Sequence, residues 1–203
     1  MTPGKKVVDD IQEILLTEES IKARIAELGN QITAAYEGKE LVLVGVLKGA
    51  LMFIVDLARA IDLPLEIDFM AVSSYGQSTD SSGIVRIVKD LDSTIEGRHV
   101  LIVEDIVDTG LTLKYLREVL ETRNPASLRI CALLNKQKER KADVELDYLG
   151  FDIPDKFVVG YGLDFADLYR NLSFIGLLKP SVSTNLKKRL LKRPRPRGYR
   201  SGA

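Results

Sequence analysis

Histidine and cysteine are nearly missing from this 203-residue chain, which has one of each, His99 and Cys131. An internal disulfide is therefore impossible, and no spacing suited to zinc exists. His99 stands alone at a strand start behind Arg98 and is read as structural or solvent-facing. Cys131 lies within an apolar strand and is read as a small buried hydrophobe. Long apolar runs are also lacking. The cleanest, Leu41–Leu47, is strand-sized, far short of the roughly 18 residues of a membrane helix. No apolar stretch follows the two lysines near the start; Asp9 and Asp10 come instead, so no secretory signal is expected. Together these absences point to a soluble protein of a reducing, cytoplasmic compartment. Hydrophobic residues make up 45% and charged residues 29%, the balance of a globular domain. A chain of this length hides roughly 70% of its unfolded surface and needs no staple.

Net charge is also absent, with 29 basic and 29 acidic residues, but the balance is uneven. Residues 187–203 hold eight basic groups and no acid, which leaves a net of −8 on the rest. With Pro194 and Pro196 among like charges, residues 185–203 are expected to form a disordered tail behind a domain over residues 1–184. The tail is read as a solubilising end, so no nucleic-acid partner is expected.

Thr17 followed by Glu18 and Glu19 predicts a helix start, and Ile21, Ile25, Leu28, Ile32 and Ala35 continue it at helical spacing up to Gly38. Residues 41–47 read as a buried strand. A second helix then carries Leu51, Ile54, Ala58 and Ile61 on one face, and Pro64 stops it. Strands are expected at 65–72, 84–88, 100–107, 128–134, 157–159 and 174–178. In the first of these, Leu65, Ile67 and Phe69 alternate with Glu66 and Asp68. A helix over 112–123 places Leu113, Leu116 and Leu120 together. Residues 73–83, rich in Ser and Gly, fit no regular element. Apolar strands alternating with amphipathic helices predict an α/β fold, a central, mainly parallel sheet flanked by helices. Ligands of such sheets sit beyond the carboxyl ends of the strands.

One of those ends carries the richest chemistry. Residues 103–112 read V-E-D-I-V-D-T-G-L-T: an apolar strand, two acids, a short loop and a helix start. Gly110 lets the backbone approach a ligand closely. Free N–H groups at the helix start favour an anion such as a phosphate monoester, and Thr109 and Thr112 add hydroxyls. Glu104, Asp105 and Asp108 would repel that phosphate unless they bind sugar hydroxyls or hold Mg²⁺. Adjacent strand residues face opposite ways, so Glu104 and Asp105 should not share one task. Asp-Thr-Gly also occurs in aspartic proteases, but here a helix follows at once and no second copy exists. Gly160 and Gly162 fail the dinucleotide fingerprint.

This motif resembles the signature of type I phosphoribosyltransferases. Leu47-Lys48-Gly49, Ser74-Tyr75-Gly76, Lys136, and the stretch from Lys156 through Leu163-Asp164 to Arg170 narrow the resemblance to hypoxanthine/guanine phosphoribosyltransferases, over roughly residues 8–180. It implies the type I fold, with a small hood region and a mobile lid loop that includes Ser74 and Tyr75. It implies purine salvage: a 5-phosphoribosyl group passes from phosphoribosyl diphosphate to hypoxanthine or guanine, giving a nucleoside monophosphate and diphosphate. By the same resemblance Asp108 exchanges a proton with purine N7. Glu104 and Asp105 bind the ribose hydroxyls and their Mg²⁺, while Thr109, Gly110, Leu111 and Thr112 cradle the 5′-phosphate. Lys48 and Gly49, behind a peptide that is often cis in the family, bind diphosphate together with Arg170. Lys136 donates to O6, Phe157 stacks on the base, the Val158 backbone meets the C2 edge, and Asp164, counted with the purine pocket, holds a second Mg²⁺ near the diphosphate. Leu111 stands where some relatives have lysine, and Asn135 and Gln137 where bacterial relatives often have Asp and Pro. A homo-oligomer, dimer or tetramer, is expected by the same analogy. Two rivals are a xanthine-preferring enzyme and a nucleotide-sensing RNA-binding regulator of the superfamily.

Overall fold

The computed structural model describes residues 6–74, 85–136, 138 and 140–191. After a 3-10 turn at Val7–Asp10, the elements run β1 (Ile11–Leu16), α1 (Glu18–Tyr36), β2 (Leu41–Leu47), α2 (Leu51–Ala60), β3 (Leu65–Ser74) and β4 (Val85–Lys89). They continue with β5 (His99–Val107), α3 (Leu111–Glu121), β6 (Ser127–Asn135), β7 (Tyr148–Asp152), β8 (Ile175–Leu178) and α4 (Pro180–Leu191).

The helices begin where local chemistry starts them. The Thr17 hydroxyl accepts from the Ser20 N–H at 3.3 Å, and Glu18 and Glu19 sit in the first turn of α1, where the helix dipole favours negative charge. Ile21, Ile25, Leu28, Ile32 and Tyr36 form the buried stripe of α1, and Leu113, Leu116 and Leu120 that of α3.

Six strands form one sheet in the order β4-β3-β2-β5-β6-β7. Only β4 runs antiparallel to its neighbour, so the sheet is mainly parallel. The pleat of β2 and β5 divides their side chains between two cores. Leu41, Leu43, Leu101 and Val103 pack with α1 and α2 on one face. Val42, Val44, Val100 and Ile102 pack with α3 on the other. Burial on both faces is why these strands read as unbroken apolar runs. Cys131 belongs to the first core, and burial pushes its thiol well above the usual range. His99 exchanges a hydrogen bond with the Ser127 hydroxyl at 2.8 Å and stands edge-on to Tyr36, a structural position as expected.

A smaller hood forms from β1 and β8, paired antiparallel, with a third core around Ile11, Val159 and Tyr169. The Tyr169 hydroxyl donates to buried Asp10 at 2.9 Å. Among the described residues no helix is long and apolar enough to cross a membrane.

Several elements depart from the expectations. β1 and β7 were not anticipated: both are short, neither alternates cleanly, and Gly150 interrupts β7. Residues 157–159 make no strand; Val159 forms only an isolated bridge to Gly176. In β3 the alternation is reversed in part, for Ile67 is 42% exposed while Asp68 is 6% exposed. Asp68 tolerates burial because the backbone N–H groups of Phe69, Asp92 and Ser93 donate to it and Lys89 stands 3.5 Å away. Burial alone would raise its pKa; those hydrogen bonds outweigh burial and hold the carboxyl below its usual value. Helix α4 runs through residue 185, where the tail was expected to begin, and Val182 and Leu186 pack on the hood core. Residues 192–203 lie outside the described residues, as does Tyr75 of the expected lid, while Ser74 ends β3.

Candidate active site

The carboxyl ends of the parallel strands meet at one edge of the sheet, and β5 stands at its centre. Its end divides the acids as the pleat requires. Glu104 points to the α3 side, where it lines a cavity of about 80 Å³ with Asp108, Thr109, Gly110 and Thr112. Gly110 takes φ 79° to turn the chain into α3, a left-handed conformation that glycine adopts without a Cβ penalty. A Cβ there would also lie 3.0 Å from the Ala142 carbonyl and 3.2 Å from the Arg140 side chain. The loop is fastened from below, since Lys141 N–H and Ala142 N–H both donate to the Thr109 carbonyl, at 2.9 and 3.1 Å. The first N–H groups of α3 have no intrahelical acceptor, and that of Leu111 donates to the Thr109 hydroxyl at 3.4 Å. Glu104 Oε2 and Asp108 Oδ1 are buried with no hydrogen-bond partner. Burial, and secondly the charge of Asp105, push the Glu104 carboxyl well above its usual range.

Asp105 points the other way. A Cβ on Gly49 would fall 1.7 Å from Asp105 Oδ2, and one on Gly162 would fall 2.0 Å from the Gly49 carbonyl. The loop after β2, entered through a cis Leu47–Lys48 peptide, is thus pressed between β5 and the 160–164 segment. Burial pushes the Asp105 carboxyl up to about 6. The Ile106 N–H and Arg170 pull against that rise, and Asp164 adds to it. Arg170 donates to the Gly162 carbonyl at 2.6 Å and pairs with Asp164 at 2.6 Å. Lys48 lies 3.1 Å from Asp167, which also stands 3.6 Å from Arg170.

A third group adjoins the first. Lys136 follows β6, its N–H donating to the Val107 carbonyl at 2.9 Å, and the residue is 8% exposed. Its ammonium lies 3.9 Å from Asp108 and 3.7 Å from Asp155. Phe157, 60% exposed, stands edge-on to Phe165 at 5.4 Å, two positions beyond Asp155. Val158 is buried in the main core.

The structure therefore gathers Glu104, Asp108, Thr109, Gly110, Leu111 and Thr112 on one side, and Lys48, Gly49, Asp105, Asp164 and Arg170 on the other. Lys136 touches the first group through Asp108. Asp155, Asp167 and Arg140 were missed by sequence reasoning. Asp167 carried a faint signal, three residues before Arg170, while Asp155 and Arg140 sit in charged stretches where no residue stands out.

The donor set suits Mg²⁺. Among the described residues no three His, Cys, Asp or Glu side chains gather into a metal cage. Mg²⁺ commonly takes one or two carboxylates and completes its shell with water and substrate phosphates. Glu104 and Asp108 offer partnerless buried carboxylate oxygens, and Asp105 and Asp164 offer two mutually repelling acids.

A strand-end acidic pair, a glycine turn into a helix start and an enclosed lysine thus stand together at the carboxyl edge of the α/β sheet. The phosphoribosyl transferase domain family matches residues 12–166, and the chain belongs to that family. Within it, the chain is similar to enzymes named hypoxanthine-guanine phosphoribosyltransferase. The one from Mycobacterium avium is 58% identical over 89% of this chain and 92% of its own length. That from Bacillus subtilis (strain 168) is 54% identical over 85% of this chain and 96% of its own. A crystal structure of a hypoxanthine phosphoribosyltransferase from Staphylococcus aureus superposes with a TM-score of 0.85 at 54% identity, covering 89% of this chain and 98% of that one.

Proposed function

We propose that this chain transfers the 5-phosphoribosyl group from phosphoribosyl diphosphate to N9 of hypoxanthine and guanine, releasing diphosphate, as a step of purine salvage. The observation that carries this reading is the position of Asp108. It belongs to the phosphate loop, one of its oxygens lacks a partner, and the other faces Lys136 at 3.9 Å. One carboxylate thus borders both the sugar-phosphate cradle and the pocket for the base.

The residues divide the work accordingly. The N–H groups and hydroxyls of residues 109–112 hold the 5′-phosphate. Glu104 and Asp105 hold the ribose hydroxyls from the two faces of β5. Lys48, Gly49 and Arg170 receive the diphosphate. Lys136 donates to the purine O6 and cannot accept from an amino group, so adenine leaves a buried cation unsatisfied and is rejected. Phe157 stacks on the base, and the Val158 backbone meets its C2 edge. As N9 bonds to C1′ and the C1′–O bond to diphosphate breaks, Asp108 takes the N7 proton. Ser74 and Tyr75 belong to a lid that excludes water. Glu104 and Asp105 would hold Mg²⁺ at the ribose and Asp164 a second Mg²⁺ near the diphosphate, and these ions would supply charge neutralisation there. The enzyme works in the cytoplasm as a homo-oligomer.

The test is a turnover panel with hypoxanthine, guanine, xanthine, adenine and uracil, with and without Mg²⁺. Metal-dependent activity on the first two is expected. Activity on xanthine or uracil alone would refute the assignment.

A further inference from the structure

Lys136 is held between two carboxylates, one of which the proposed reaction does not use. Its ammonium lies 3.7 Å from Asp155 Oδ1 and 3.9 Å from Asp108 Oδ2. Both distances exceed a hydrogen bond, so the cation is attracted by both carboxylates and closed onto neither. The lysine side chain is 10% exposed and Asp155 is 43% exposed. The cation is therefore enclosed while both of its partners reach solvent, Asp108 being 46% exposed.

The chemistry needs such a balance. Lys136 has three donors and no acceptor, and must keep one N–H for the purine O6. Asp108 must keep a lone pair for N7. Were Asp108 the sole anion near this enclosed ammonium, attraction would draw the two into direct contact. That contact would weaken Asp108 as a base and turn the lysine away from O6 in one movement. Asp155 approaches from another segment, after β7, and competes with Asp108 for the same cation at a slightly shorter distance. We propose that Asp155 is a positioning residue for 6-oxopurine recognition, holding the Lys136 ammonium off Asp108 and available to the base. The inference rests on the reading of Lys136 as the O6 donor.

The experiment is a double-mutant cycle on the full chain with Asp155→Asn, Lys136→Ala and both together, plus Asp155→Glu. kcat/KM for hypoxanthine and guanine is measured at saturating phosphoribosyl diphosphate, and the Kd of phosphoribosyl diphosphate is measured by calorimetry as a check on folding. Asp155→Asn is expected to lower kcat/KM about tenfold, a size ordinary for coupled neighbouring charges. The Kd should stay within about twofold, because that ligand's groups lie elsewhere in the site. Asp155→Glu, which keeps the charge, should restore most of the loss. In the Lys136→Ala background Asp155→Asn should add nothing. An equal loss in both backgrounds, or no loss in either, overturns the role of Asp155. If Lys136→Ala itself leaves purine kcat/KM unchanged, the parent reading of the lysine fails instead, and the inference falls with it.

Discussion

The loop proposed to cradle phosphate uses consecutive residues, 108–112, at one strand-to-helix turn. On the other face of β5, Lys48, Gly49, Asp105, Gly162, Asp164 and Arg170 come from three separate stretches, and Lys48 meets Asp167 across 119 positions of sequence. The cradle offers backbone N–H groups and orphaned carboxylate oxygens, both ready for a ligand. The distant side is already satisfied internally, with Arg170 on Asp164 and Gly162 and Lys48 on Asp167. A local turn can be preorganised by its own backbone. A surface built from remote segments has to be held by side-chain pairs, and those pairs must open for substrate.

The largest expected effect tests the cradle. Asp108→Asn keeps shape but removes the proton acceptor, and general acid–base help of this kind is worth roughly 10²–10⁴-fold. kcat should fall by that order, with phosphoribosyl diphosphate binding nearly kept. Unchanged turnover would remove Asp108 from its role and leave the cradle a binding site only.

Next comes the distant side. Gly49→Ala places a Cβ 1.7 Å from Asp105 Oδ2, so the loop or the Asp105 carboxylate beside it must move. A displacement of about 1 Å in a substrate-positioning loop can cost about 10²-fold, and kcat/KM for phosphoribosyl diphosphate should fall by about that much. A crystal structure of the variant with the loop unmoved would contradict the tight packing.

The same contrast governs what could be read from sequence. The paired core strands and the phosphate turn were legible because their signals are local: an apolar run, a glycine, three acids within five positions. Asp155 and Asp167 were not, because their importance comes from which cation the fold brings beside them. β1 likewise gains its meaning only from pairing across the chain with β8, whose strand was legible at 174–178. The Ile67/Asp68 reversal misled pattern reading because a carboxylate satisfied by three backbone N–H groups can be buried as an apolar residue would be. Lys48, Gly49 and Arg170 were legible through family resemblance alone; taken singly, each is an ordinary surface residue.

A third variant asks whether the cradle is as local as it looks. Arg140 donates to Asn135 at 2.5 Å, with its guanidinium beside Gly110. Arg140→Ala removes a charged hydrogen bond worth about 1.5–3 kcal/mol, so thermal stability should drop by about that amount. Phosphoribosyl diphosphate binding should weaken with it, since the loop loses its floor. Lost stability with intact binding would mean that the turn holds its own shape.

The smallest effect is the most pointed. One oxygen of Asp167 lies between Lys48 at 3.1 Å and Arg170 at 3.6 Å, the two cations proposed for the diphosphate. The incoming anion must displace it. Asp167→Asn should therefore lower KM for phosphoribosyl diphosphate. The change should be only about two- to fivefold, since exposed pairs are screened, and it should shrink as salt rises. The sign with pH is fixed. The hydrogen bond and charge of Lys48, helped by Arg170, hold the Asp167 carboxyl below its usual value. It is thus charged at every pH above the ordinary carboxylate range, and the pair opens only on stronger acidification. The gain should then be constant between about pH 6 and 9, well above carboxylate titration. A KM that rises instead would show that Asp167 presents the two cations to diphosphate rather than competing with it, and the distant side would then be as preorganised as the cradle.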